Sequence, residues 1–197
     1  MRSAGHPVVA ESAAPSECEG SEAPIEVEVV QDGRLKTRVH WEWHGEKVRI
    51  RLPRGVAKRD AERIVAEILE GVKRKRAQSR ARADADLEAM AREINRTCFG
   101  GELRWHSIRW VGNMRKRLGS CTTGGPTDGN IRISEWARGW PKWVIEYIVA
   151  HELAHRQHPN HSAEFYALLS RYPKAERASG FLMGVAFQLG EDAEEWL

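Results

Sequence analysis

Residues 143–155 read WVIEYIVAHELAH, an apolar stretch interrupted by Glu146 that runs straight into two histidines and a glutamate. So apolar a run is buried in the fold. Pro141, just ahead of it, suits the first turn of a helix. On a helix from about Pro141 to Gln157, His151 and His155 lie four residues apart and project from one face. Imidazoles and a carboxylate carried into an interior need partners. A cation is such a partner, and this spacing lets both rings grip one ion. The rest of the chain has to be fitted around this helix.

Glu152 follows the first of these histidines and reaches the same space without ligating. Zinc brings the pKa of a bound water to about 7. Glu152 is then the group placed to take that water's proton as it attacks a carbonyl or a phosphorus. A tetrahedral site needs a third protein ligand, and three residues compete for the place. His161 comes six residues after His155, beyond the helix break at Pro159. His158 is still close to the helix axis, where three ligands on one straight helix strain the geometry. Glu176 is the acidic alternative on a later helix. Ligand geometry favours His161, which shares its spacing with the HExxHxxGxxH pattern. Beyond the break, Asn160 is a candidate N-cap for a helix over His161–Tyr172. Pro173 ends that helix, and a last one runs from Lys174 to about Leu189.

Upstream, residues 1–24 are rich in Ser, Ala, Glu and Pro, and are expected to form a disordered tail. From Ile25 the pattern turns to period two: IEVEVV, RLKTRVHWEW and KVRIRL alternate apolar and polar positions. With turn signals at Asp32-Gly33 and His44-Gly45 this predicts a three-stranded meander over 25–55. A helix is expected over about 57–97, with Ile64, Val65, Ile68 and Leu69 as one apolar stripe and Leu87, Met90, Ala91 and Ile94 as another. Its middle, KRKRAQSRAR, reads as a solvated face, nucleic-acid contact being the sharper alternative. Short strands follow at Trp105–Val111, Leu118–Thr122 and Asn130–Ser134, the last two joined by TTGGPTDG. The expected class is α+β: an N-terminal meander and a small sheet packed on the histidine-bearing helix, with further helices. Residues 56–197 form the helical and catalytic region, and 25–197 one compact unit.

Composition narrows the setting. Apolar residues make up 41% and charged residues 30% of 197, and the net charge of +3 names no partner. Cys18, Cys98 and Cys121 contain no CxxC pair, which argues against a disulfide scaffold or a cysteine zinc knuckle. Reduced thiols, and no apolar core for a leader in MRSAGHPVVAESAAPSE, point to a cytoplasmic protein. No apolar run is long enough to span a membrane. Cys121 reads as a small packed hydrophobe. Trp136, Trp140 and Trp143 read as core and site wall.

Arg117, Gly119-Ser120-Cys121, Ile131-Arg132-Ile133, Tyr147, HELAH at 151–155 and NHSAEF at 160–165 together resemble the YgjP-like metal-dependent hydrolases, relatives of the SprT and WLM zincins. Leu118 stands where that family carries tryptophan. The resemblance spans about residues 25–173. It implies a zincin-like fold with His151, His155 and His161 as zinc ligands and Glu152 as the catalytic residue. The activity it implies is zinc-dependent hydrolysis, foremost of peptide bonds. Hydrolysis of a nucleotide phosphoanhydride and a SprT-like protease working near nucleic acid are the alternatives. No Walker-type phosphate loop supports the nucleotide reading. In zincins a strand edge beside the active helix holds an extended substrate. Leu118–Cys121 or Asn130–Ser134 is the expected edge.

Overall fold

The computed structural model describes residues 25–45 and 47–197. The tail expected over 1–24 lies outside the described residues. The chain divides into two compact units, one ending at Val65 and the other running from Ala66 to Leu197.

The first unit holds strands β1 (Glu26–Asp32), β2 (His40–His44) and β3 (Lys47–Pro53). All three expected strands form, but not as a meander. Their order is β1-β3-β2, with β1 parallel and β2 antiparallel to β3. The strictest alternation, in KVRIRL, takes the centre, where Val48 and Ile50 are fully buried. Alternation fixes which face of a strand is buried, not which strand lies next to it. The Asp32-Gly33 signal does make a turn, Leu35 N–H donating to the Asp32 carbonyl at 3.2 Å, but the chain then crosses from one edge of β3 to the other. Cross-strand ion pairs tie both neighbours to the basic centre: Glu26 to Lys47, Glu28 to Arg49 and Glu42 to Arg51, at 2.6–2.8 Å.

Helix α1 (Lys58–Cys98) begins in the first unit and continues into the second. There it buries Val72, Leu87, Ala91 and Ile94. The second sheet comprises β4 (Ser107–Val111), β5 (Gly119–Cys121) and β6 (Asn130–Ser134), in the order β4-β6-β5. β5 and β6 form the expected antiparallel hairpin, and β4 runs parallel to β6. Side chains of α1 occupy the outer edge of β4. Trp110 N–H donates to Asp84 at 2.8 Å, and its carbonyl accepts from Arg80 at 3.2 Å. The edge of β5 belongs to the side of the sheet where α2 (Lys142–Ala154) packs.

Helix α2 is buried from Tyr147 to Ala154 and shares one core with Ile108, Trp110, Ile131 and Ile133 of the sheet. A helix apolar on every side belongs inside a fold. Two shorter helices follow, α3 (Ala163–Leu169) and α4 (Ala175–Leu189). The cap of α3 is Ser162, not Asn160: its Oγ accepts from Phe165 N–H at 3.3 Å, so the helix starts two residues later than expected. Pro141 is likewise the residue before α2, not its first turn. Short 3-10 turns at Glu135–Gly139 and Ala193–Trp196 have no counterpart among the expected elements. They bring Trp136, Trp140 and Trp196 together, Trp136 lying 5.1 and 4.9 Å from the other two rings. Trp196 is only 1% exposed, and its carbonyl accepts from Leu118 N–H at 2.7 Å, at the start of β5. No helix among the described residues is long and apolar enough to cross a membrane.

Candidate metal centre

His151 lies in the last turn of α2, and His155 is the residue that ends it. Both rings leave the same face, with their Nε2 atoms 3.2 Å apart. The chain then turns through Pro159 and returns His161 just before α3. Its Nε2 sits 3.0 Å from that of His151 and 3.2 Å from that of His155. These three form a cluster of potential metal ligands, and neither His158 nor Glu176 is part of it. His158 contributes its carbonyl instead, which accepts from His155 Nδ1–H at 3.1 Å. That bond fixes the tautomer and leaves the His155 Nε2 lone pair facing the other two rings.

Phe165, fully buried, is the floor of the cluster. Its ring centroid lies 4.7–4.8 Å from all three imidazoles. This places the Phe165 of NHSAEF on the first turn of α3, facing the ring of the histidine that precedes it. Its role under all three rings was not legible from spacing.

Burial favours the neutral form of His151 and His155. His151 is held well below the ordinary imidazole range, first by desolvation and then by His155 and His161. Desolvation also lowers His155, against the opposing hydrogen bond to His158. Three imidazole nitrogens converging on one point suit a nitrogen-binding cation such as zinc. In a tetrahedral site with Zn–N near 2.0–2.1 Å, ligand nitrogens stand about 3.3 Å apart. The observed 3.0–3.2 Å fits that arrangement.

Glu152 is 2% exposed, and its Oε2 has no hydrogen-bond partner. Burial pushes its carboxyl up to about 8, with Arg117 pulling the other way. The carboxylate rests against Gly119 of β5: a Cβ built there would come within 2.7 Å of the Glu152 Cγ and Cδ. Cys121, on the same strand, is raised to about 11, chiefly by burial, and stays a thiol. Arg156, the residue after the second histidine, bolts the helix end to the β5–β6 loop. It donates to Arg104 O at 2.8 Å and Thr122 O at 3.1 Å, and grips both carboxylate oxygens of Asp128. Arg156 was not marked by its sequence pattern, and Gly119 was marked only as part of Gly119-Ser120-Cys121 and of the expected edge, without a role toward Glu152.

Residues 102–182 match the model of the YgjP-like metallopeptidase domain. That YgjP-like segment contains the three histidines, Glu152, Gly119, Arg156 and Phe165. It begins after α1, so the N-terminal strands expected to share the resemblance lie outside it. It also extends past residue 173 into α4. The chain is similar to the crystal structure of the metallopeptidase zymogen of Pyrococcus abyssi abylysin, with 18% identity and a TM-score of 0.44. That similarity covers 54% of this chain and 97% of the other. No curated protein matches the sequence.

Proposed function

We propose that this chain is a zinc-dependent hydrolase of the zincin kind that cleaves peptide bonds, with His151, His155 and His161 as ligands and Glu152 as general base. The observation that carries the reading is the meeting of three Nε2 atoms within 3.0–3.2 Å, next in sequence to a buried carboxylate with a free oxygen. Zinc held there supplies a Lewis acid and makes water acidic enough to be deprotonated near neutral pH. Glu152 Oε2 accepts the proton of the attacking water and returns it to the leaving amine. The elevated carboxyl pKa makes Glu152 a stronger base for taking that proton from the water. Phe165 beneath the rings and the His158 carbonyl behind His155 keep the ligand nitrogens aimed, so little ordering is left for the metal to impose.

A peptide is favoured over a nucleotide because β5 is an edge strand. Leu118 and Thr122 turn their backbone hydrogen bonds toward β6 and its flank, as the Ser134 N–H to Leu118 O and Thr122 N–H to Asn130 O bonds show. Strand alternation then turns the backbone groups of Gly119 and Cys121 to the open side. An extended peptide pairing there runs beside Glu152.

The test is metal analysis of the purified protein, followed by cleavage of a quenched fluorescent casein. Roughly one zinc per chain, cleavage lost to a chelator and restored by zinc, would support the reading. A protein that retains no zinc after dialysis, or that holds zinc and leaves casein intact, would sink it.

A further inference from the structure

We infer that Gly119 is a positioning residue for Glu152: the side chain that β5 lacks at this position is the seat of the carboxylate. The inference rests on the assignment of Glu152 as base made above.

Glycine is not needed here for its backbone. Gly119 is absent from the residues of positive φ, and its strand conformation is open to any amino acid. It is needed for space. Among the described glycines, only Gly119 combines an ordinary φ with a position where an added Cβ would fall less than 3.0 Å from a neighbour. At Gly129 a Cβ would also collide, with the backbone of Trp105 and His106, but its φ of +75° already demands glycine. At Gly119 the three nearest atoms all belong to the Glu152 side chain.

Something must move if a methyl is added, and the surroundings decide what. The strand is held on both sides of Leu118, which is fully buried. Its N–H donates to Trp196 O at 2.7 Å, and its carbonyl accepts from Ser134 N–H at 2.9 Å. The helix is held by Ile148, Val149 and Leu153, all fully buried. The torsions of Glu152 are what can yield, and they carry the carboxylate away from its aim. A displacement of about 1 Å at a reacting group costs on the order of a hundredfold in rate.

The test is a pair of double-mutant cycles on the zinc-loaded full chain. The first is thermal. Gly119→Ala should lower Tm by several degrees in the wild-type background and by almost nothing in Glu152→Ala, where the added methyl has room. Equal losses in both backgrounds would overturn the inference, because the methyl would then be meeting something else. If Gly119→Ala alone fails to fold, recovery of folding in Gly119→Ala/Glu152→Ala supports the inference, and failure of both overturns it. The second cycle reads kcat on quenched fluorescent casein. Gly119→Ala should cost about a hundredfold with KM and zinc content unchanged. In the Glu152→Asp background, one methylene shorter, the same substitution should cost less than about threefold. A zinc-loaded Gly119→Ala that cleaves at the wild-type rate would show that Gly119 does not aim the base. Casein left intact by every variant would remove the peptidase reading, and the thermal cycle would still decide where Glu152 is seated.

Discussion

Glu152 is a carboxylate held almost entirely out of bulk solvent, and this has a measurable consequence in the metal-free protein. Its pKa rises on folding, from the ordinary value to about 8. A group raised in this way stabilises the fold fully below its unfolded pKa, and the contribution is lost as pH climbs through the folded value. Between about pH 4.5 and 8 the chelated wild type should therefore lose stability relative to Glu152→Gln, which has no proton to release. Urea midpoints of both proteins across that range check this; parallel curves would deny the elevation. His151 works in the opposite direction. Its pKa is depressed, so its contribution is present above about pH 6.5 and lost as pH falls below it. With zinc bound, Glu152→Gln should keep the metal and lose turnover, since an amide cannot take the water's proton. The ligand assignment is checked by zinc retained after dialysis. His161→Ala should lose it, while His158→Ala and Glu176→Ala should keep it, because neither residue belongs to the cluster. The spacing of HELAH and the break at Pro159 made these three histidines legible in the sequence. Gly119 and Phe165 were not: Gly119 acts through a contact with a helix far along the chain, and Phe165 through the turn at Pro159 that brings its ring under all three histidines. No periodicity encodes a fit between a strand glycine and a helix carboxylate.

Secondary elements were easier to read than their arrangement. β6 begins and ends where expected, and α1 does so to within a residue at each end, because long periodic segments carry their own signal. Strand order in the first sheet was not legible, since several pairings satisfy one alternation pattern. The cap of α3 falls on Ser162 because Asn160 and Ser162 are both good caps, and the turn geometry chooses between them. At this scale Arg156 joins the end of α2 to the β5–β6 loop through Thr122 O and Asp128, and to the segment before β4 through Arg104 O. Arg156→Ala should leave zinc content intact and lower Tm, because Arg104 O and Thr122 O each lose a donor and the exposed Asp128 carboxylate loses its cation. Hydrogen exchange should speed up over residues 122–129; unchanged exchange there would show that the loop stands without the arginine. Phe165→Ala should cost about 3–5 kcal/mol and weaken zinc retention as well, because the same ring fills the core and supports all three imidazoles.

For the whole molecule, two compact units mean two cores, and a chain of this kind need not unfold in one step. All three candidate ligands belong to the second unit. Zinc at a hundred times its dissociation constant stabilises what binds it by about 2.7 kcal/mol. Calorimetry should therefore show a zinc-dependent shift in the transition of the second unit and none in that of the first. If both shift equally, the two cores melt as one. The bond from Leu118 to Trp196 spans more than half of that unit. On a growing chain, 78 residues separate the two ends of this bond (196 minus 118), and at about 5–20 residues per second they take roughly 4–16 s to make. During that interval the strand that seats Glu152 is already synthesised but still lacks its last tether, so a nascent chain can acquire its histidines well before it can aim its base.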